Sequence, residues 1–323
     1  MTLRASLILL SSCLLQPMAW ARAESVPNGA VVKLPDLNVQ IQFYGDNTVR
    51  VLKWLPEGSA AKKSLVVIQN KLPKLELESQ ETPSELSLSS KTMTVRISKR
   101  DGSVTFIRAS GDILLAESGK AALAPVEFSG DKGFCLLQRF RLTRAEGIYG
   151  LGQHQDGYMN YRGRSVTLVQ ANTQACTPFL VSTQGYGLLW DNTSKTIFKD
   201  GSDGLTITSD IGDNVDYYVI QGDNIDGAIA GYRTLTGAAP LYGKWAYGYW
   251  QSKEHYHTQD EVLAVAKEYR KREIPIDNMI QDWNYWGTMR DWSGMIWDRL
   301  RYPKPAEMTK TLHALNFHLA ISI

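Results

Sequence analysis

The residues whose types and spacing could do chemistry gather in one stretch, Ile274-Pro275-Ile276-Asp277-Asn278-Met279-Ile280-Gln281-Asp282-Trp283-Asn284-Tyr285-Trp286-Gly287. An apolar, strand-like core runs into an acid, Asp282, and two indoles follow, Trp283 and Trp286. Six of the chain's nine tryptophans lie between Trp245 and Trp297. Such a set suits a sugar: aromatic faces cover C–H surfaces, and a carboxylate accepts hydrogen bonds from hydroxyls. Asp282 also stands where a strand gives way to a loop, and parallel β/α folds handle ligands at that carboxyl edge. The plain alternative is an acid that caps the following loop. Trp283, Trp286, Tyr247 and Trp250 carry two readings as well, the wall of a sugar pocket or core packing, because tryptophan is highly buried on average. Their grouping near Asp282 favours at least one as a wall.

Other chemistries have weaker support. Tyr149-Gly150-Leu151-Gly152 contains a Gly-x-Gly, but no third glycine follows at phosphate-loop spacing, so a turn between strands is the better reading. His255 and His257 have the spacing of one strand face, yet no Cys or further His stands near them. A zinc site is therefore not expected, and a solvated loop is. No Gly-x-Ser-x-Gly elbow occurs, which leaves acyl transfer by that route without support. No metal and no cofactor is expected.

Two kinds of element position these residues. From about Val31 to about Ile220 the pattern is β. Val39-Gln40-Ile41-Gln42-Phe43 and Leu86-Ser87-Leu88 alternate apolar and polar, and turn signals such as Gly45-Asp46-Asn47 recur at short spacing. Thr92 to Ile97, Asp101-Gly102 and Val104 to Ile107 read as a hairpin. Many short strands with little helix imply a sandwich or barrel. After Ile220 the character changes. Asn224 to Thr234 reads as a helix and Ala246 to Trp250 as a short strand. Thr258-Gln259-Asp260-Glu261 is a capping box before the apolar stripe Val262, Leu263, Val265, Ala266 and Tyr269. The basic run Lys267, Arg270, Lys271 and Arg272 reads as a solvated helix end. Ile276 to Ile280 is a predicted strand, Ala306 to Leu315 a helix, and Phe317 to Ile323 a strand. Strand, helix, strand, helix, strand implies a parallel sheet, with far fewer strands than the eight of a (β/α)8 barrel.

Composition sets the outer bounds. A chain of 323 residues, 43% hydrophobic and 21% charged, is an ordinary globular composition. The net charge of +2, without a clustered basic face, gives no support for nucleic-acid binding. Arg4, the apolar Ala5 to Leu15 and Ala21-Arg22-Ala23 read as an export signal over residues 1–23, with Glu24 the first mature residue. Leu10-Ser11-Ser12-Cys13 resembles a lipoprotein box, so a lipid anchor at Cys13 is the lesser alternative for a periplasmic or extracellular protein. No transmembrane segment is expected, since the apolar run is too short to span a bilayer. Cys135 and Cys176 are read either as a pair or as small buried hydrophobes.

Four motifs in order carry a family resemblance: Tyr149-Gly150-Leu151-Gly152; Gly185-Tyr186-Gly187-Leu188-Leu189-Trp190-Asp191-Asn192; Trp245-Ala246-Tyr247-Gly248-Tyr249-Trp250-Gln251-Ser252; and Ile274 to Trp286. Together they resemble glycoside hydrolase family 31, and Gln281 to Trp286 looks most like its bacterial α-xylosidases. The resemblance implies a galactose-mutarotase-like β-sandwich over residues 24–236, then the first strands of an incomplete (β/α)8 barrel over 237–323. It implies that Asp282 binds the terminal sugar of an oligosaccharide or α-xyloside substrate, that Tyr247 belongs to the same pocket, and that Asn172 sits on a sandwich loop reaching over the barrel mouth. An ordinary turn asparagine is the alternative for Asn172. The family retains anomeric configuration with two aspartates on later barrel strands, so no nucleophile and no acid/base is assigned here. The expectation is the N-terminal portion of an exported hydrolase, inactive alone. The alternative is a carbohydrate-binding protein without turnover.

Overall fold

The structure is a computed structural model that describes residues 22–292 and 294–323. The segment read as an export signal, with Cys13, lies outside the described residues up to position 21. Contacts divide the chain into two compact units, Met1–Ala238 and Ala239–Ile323.

Eighteen strands build the first unit. They are β1 (Arg22–Val26), β2 (Gly29–Lys33), β3 (Asn38–Gly45), β4 (Thr48–Trp54), β5 (Glu78–Glu81) and β6 (Glu85–Ser89). Then come β7 (Met93–Ser98), β8 (Val104–Arg108), β9 (Ile113–Glu117), β10 (Ala122–Phe128), β11 (Asp131–Arg141) and β12 (Ile148–Gln153). The last are β13 (Ser165–Leu168), β14 (Ala175–Ser182), β15 (Tyr186–Trp190), β16 (Thr196–Gly201), β17 (Gly204–Gly212) and β18 (Val215–Gln221). One sheet runs β1-β2-β3-β4-β18-β15-β14-β12. The other runs β13-β16-β17-β11-β9-β8-β7-β6-β5, with β10 also on β11. The pairings within both are antiparallel.

The alternation read in the sequence is what fills the space between the sheets. Val39, Ile41 and Phe43 from one sheet and Val95, Ile97 and Phe106 from the other are fully buried in one cluster. The hairpin expected around Asp101-Gly102 is present as β7 and β8, Met93 opposite Arg108. Helix α1 (Ile225–Thr236) is capped by Asn224, whose side chain accepts the Gly227 amide. Its Ala228 and Leu235 pack with Phe179, Leu189, Tyr218 and Ile220 on the outer face of the first sheet.

A buried ion pair interrupts that core. Lys53 Nζ lies 2.5 Å from Glu117 Oε2, and both side chains are wholly buried. Tyr217 donates to Glu117 at 2.7 Å, the Val104 amide donates at 2.6 Å, and Lys53 also reaches Gln138 at 3.1 Å. Burial pushes the Lys53 ammonium down and the Glu117 carboxyl up, while each partner pulls the other back.

One expectation for this unit fails, and one open choice, the pairing of Cys135 and Cys176, is decided against a disulfide. The Gly-x-Gly is not a turn: Gly150 and Gly152 lie inside β12, both with φ of 101°, where a register shift against β14 occurs. A Cβ on Gly152 would sit 2.1 Å from the Ala175 carbonyl oxygen, so the glycine serves close strand approach. Cys135 and Cys176 are both free thiols. They belong to different sheets, Cys135 in β11 and Cys176 in β14.

The second unit is parallel. Strands β19 (Trp250–Gln251), β20 (Asn278–Gln281) and β21 (His318–Ile321) pair in that order, Trp250 beside Asn278 and Asn278 beside His318. Helices α2 (Gln259–Lys271) and α3 (Pro305–Ala314) cover one face through Val262, Ala266, Met308 and Leu312, which bury Met279. The strand expected over Ala246 to Trp250 is mostly a 3-10 turn, Lys244–Tyr247. At Gly248 a Cβ would fall 1.7 Å from the Asp277 carboxylate, so the chain turns there before pairing begins. The capping box is half made: Thr258 accepts the Glu261 amide, but Glu261 reaches the His257 amide and Lys253. Nor is the basic run wholly solvated. Arg270 donates to the carbonyls of Leu315, Ile276 and Asn316 and lies 3.9 Å over the Phe317 ring.

Candidate functional site

The central strand β20 sorts its side chains by their two-residue period. Met279 and Gln281 turn to the helices, and Asn278 and Ile280 to the opposite face, which Asp282 shares by the same period. Asp282 follows the carboxyl end of β20 and is half-buried. Its Oδ1 accepts the Trp283 amide at 2.8 Å, so the loop-capping role is real. Among the described residues no protein donor reaches Oδ2, which leaves that oxygen to accept from a ligand hydroxyl.

The loop after Asp282 is held in place from several sides. Asn284 takes φ of 65°, Tyr285 donates to the Ser322 carbonyl at 3.0 Å, and Arg301 donates to the carbonyls of Asn284 and Gly287. Gln281 donates to the carbonyls of Asp282 and Tyr256. This frame sets an aromatic group beside the acid. Trp283 lies 5.2 Å from His255 and 5.7 Å from Trp292, and Trp292 lies 5.3 Å from Trp286. Trp292 is 54% exposed and can offer a ring face.

The expected site residues therefore separate. Asp282 and Trp283 stand together at the strand end. Trp286 is buried in the core of the unit, its indole nitrogen without a hydrogen-bond partner, so it backs the group rather than facing out. Tyr247 is exposed in the 3-10 turn before β19. Asn172 belongs to the other unit, exposed in the turn bridged by Ala171 and Gln174 between β13 and β14. Sequence reasoning passed over Trp292 and His255. The density of tryptophans signalled the first. His255 read as loop, yet its ring packs edge-on to Trp283 and its Nδ1 is buried.

The nearby acids have other work. Asp291 accepts the Thr288 amide and hydroxyl. Asp298 accepts the Arg301 and Leu300 amides, which hold its carboxyl below the usual range. Among the described residues no group of three His, Cys, Asp or Glu side chains is placed to hold a metal, and no helix is long and apolar enough to cross a membrane.

The chain thus joins an antiparallel sandwich to a sheet of parallel strands with an acid and indoles at its carboxyl edge, a multidomain α and β architecture. Comparison gives the family. The glycosyl hydrolase family 31 TIM-barrel domain matches residues 239–323, and the family's N-terminal galactose mutarotase-like domain matches residues 38–198. The chain belongs to glycosyl hydrolase family 31. It is 41% identical over 302 residues to an alpha-xylosidase of Saccharolobus solfataricus, covering 90% of this chain and 41% of that one. It is 27% identical over 314 residues to an uncharacterized family 31 glucosidase of Pseudescherichia vulneris, covering 88% and 57%. Among solved structures it resembles a family 31 alpha-xylosidase from a soil metagenome complexed with xylose, with a TM-score of 0.82 and 27% identity, covering 94% and 47%. The Xanthomonas citri alpha-xylosidase shares the fold, with a TM-score of 0.76 and 24% identity, covering 93% and 49%. The chain thus spans from 41% to 57% of the length of these relatives.

Proposed function

We propose that Asp282 and the indoles beside it hold the terminal sugar of an α-linked oligosaccharide, as part of a family 31 hydrolase of the α-xylosidase kind. The observation that carries this reading is the Asp282 carboxylate at the end of β20, with one oxygen fixed by the Trp283 amide and the other without a protein donor. Identity to an alpha-xylosidase at 41% favours xylose over glucose as the terminal residue. In this reading Trp283 and Trp292 cover the C–H face of the sugar, and Tyr247 borders the pocket.

The proposal includes that residues 1–323 bind without turning substrate over. A retaining mechanism needs two carboxyl groups about 5–5.5 Å apart. Asp291 and Asp298, the acids of the loop after Asp282, are engaged with the chain itself. The test is twofold. Calorimetry with xylose and with an α-xyloside should give heat, and Asp282→Asn should weaken binding at least about tenfold by removing charged hydrogen bonds. The same preparation should release no aglycone from an aryl α-xyloside. Unchanged affinity in the variant would sink the role of Asp282, and aglycone release would sink the claim of inactivity.

Export through the N-terminal segment is part of the same proposal. N-terminal sequencing of secreted material should begin at Glu24. That cut would shorten β1 by two residues, Arg22 and Ala23, and keep the ion pair of Glu24 with Lys33 at 2.7 Å.

A further inference from the structure

The link between β4 and β5, residues 55–77, has no helix or strand. Structureless links longer than about 12–15 residues are uncommon in compact domains and are usually functional or disordered. This one is fastened. It lies over the outer face of the first sheet, where Arg50 of β4 and Asp216 of β18 form a two-pronged pair at 2.9 and 2.7 Å. Lys62 Nζ stands 3.2 Å from Asp216 Oδ2 and also donates to the Asp191 carbonyl. The Arg50 guanidinium reaches back to the Lys62 carbonyl. Further along, the Ile68 amide donates to Leu235 at the end of α1, Gln69 to Tyr44, and Asn28 to Pro73.

Apolar anchoring is uneven. Leu75 and Leu77 at its far end pack on the core between the sheets. Before them Val67 packs with the cluster under α1, but Leu65 is 79% and Ile68 63% exposed. The stretch 55–70 is therefore held down chiefly by polar ties, and the strongest involves Lys62. A cavity of about 310 Å³ lies along its edge, lined by Lys62, Lys63 and Leu65 on one side and by Asp191 and Asn214 on the other. The Asp191 side chain is buried, and its Oδ2 has no hydrogen-bond partner. Segments with few buried apolar contacts open locally, below the free energy of global unfolding.

We propose that residues 55–70 form a strap that opens as its own unit, with Lys62 as the latch. Opening uncovers Asp191 and Asp216 while the sandwich stays folded. The asymmetry at Asp216 makes this separable: without Lys62, Asp216 keeps its pair with Arg50. The inference is independent of the sugar site.

Hydrogen exchange on the whole chain, read by mass spectrometry, tests it. Amides of 55–70 should exchange faster than those of β3, β4 and β18, and with a weaker dependence on low urea. Lys62→Met should speed the strap roughly tenfold, the scale of losing one charge-assisted hydrogen bond, and leave the three strands as they were. Lys62→Arg should restore most of the protection. Three results would overturn the proposal: a strap that exchanges in step with the strands at every urea concentration, a Lys62→Met chain with an unaltered strap, or a Lys62→Met chain whose sandwich no longer folds.

Discussion

The sandwich and the β/α unit treat buried polar groups differently. In the sandwich, Glu117 is met by Lys53, Tyr217 and the Val104 amide, and Gln138 completes the set. In the β/α unit, His255, Asn278, Gln281, Asn284 and Trp286 each keep a buried atom without a partner, five of the seven such atoms among the described residues. The sandwich thus settles most of its polar groups within itself and leaves Asp191 Oδ2 and Gln221 Oε1 unmet. The smaller unit keeps its unmet groups on and around β20, the strand that leads to Asp282. An unmet buried polar atom costs about 1–3 kcal/mol, so that concentration lowers the stability of the region around Asp282. The same region gains most from whatever supplies donors and acceptors to it.

The contrast breaks if the buried group of the sandwich is dispensable. Lys53→Met should cost about 3–5 kcal/mol, because it strands the Glu117 charge in the core. Urea unfolding followed by far-ultraviolet circular dichroism, which is dominated by the sandwich strands, reads the loss. Adding Glu117→Gln removes the stranded charge, keeps an acceptor for the Val104 amide and can donate from its NH2 to the Tyr217 hydroxyl, so the double variant should recover more than half. A neutral Lys53→Met would show that the sandwich does not depend on its paired core.

Legibility followed the same divide. The strands of the sandwich were readable because half-buried strands alternate, as Val39, Ile41 and Phe43 do. The β-α-β-α-β order was readable from the Thr258 cap and the apolar stripe that buries Val262 and Ala266. Motif glycines were misread, because close approach leaves no local trace. Gly152 faces the Ala175 carbonyl and Gly248 faces Asp277, contacts that exist only in the fold. At the site, Asp282 and Trp283 stood out by type and position, whereas His255 did not. Its role comes from packing on a residue far along the chain, Trp283. Likewise the composition of the run from Lys267 to Arg272 cannot distinguish Arg270, which reaches three carbonyls, from its solvated neighbours.

Arg270 sharpens the comparison from the other side. It is a polar group that the β/α unit does satisfy, tying α2 to the end of α3 and the segment before β21. Arg270→Met removes the guanidinium from over Phe317 and leaves the carbonyls of Leu315, Ile276 and Asn316 without their charged donor. The expected loss is about 1.5–3 kcal/mol, the range for hydrogen bonds to charged groups. Tryptophan fluorescence reports it, since six of the nine indoles lie in this unit. The fluorescence midpoint should fall while the circular dichroism midpoint of the sandwich holds. Equal shifts in both signals would mean that the two regions do not keep separate accounts of their polar groups.

Acid should show the smallest difference. In the sandwich, desolvation pulls the Asp101 carboxyl up, but the Ser103 hydroxyl and amide outweigh it and hold the group at about 2. A carboxyl held low in the folded state stabilises fully above its unfolded value, about 3.9, and loses that contribution as pH falls through the folded one. In the β/α unit, Glu261 is held low first by Lys253 and then by the His257 amide, and Asp298 by the Arg301 amide, so the sign is the same there. Asp101→Asn should therefore flatten the acid limb of sandwich stability between pH about 4 and 2. It should leave stability near neutral pH lower by less than about 1 kcal/mol, because the site is partly solvated. The fluorescence-detected acid transition should not move, because Glu261 and Asp298 still titrate in that unit. An acid limb as steep in Asp101→Asn as in the parent would mean that the Ser103 hydrogen bonds survive protonation, and that acid sensitivity in the sandwich originates elsewhere.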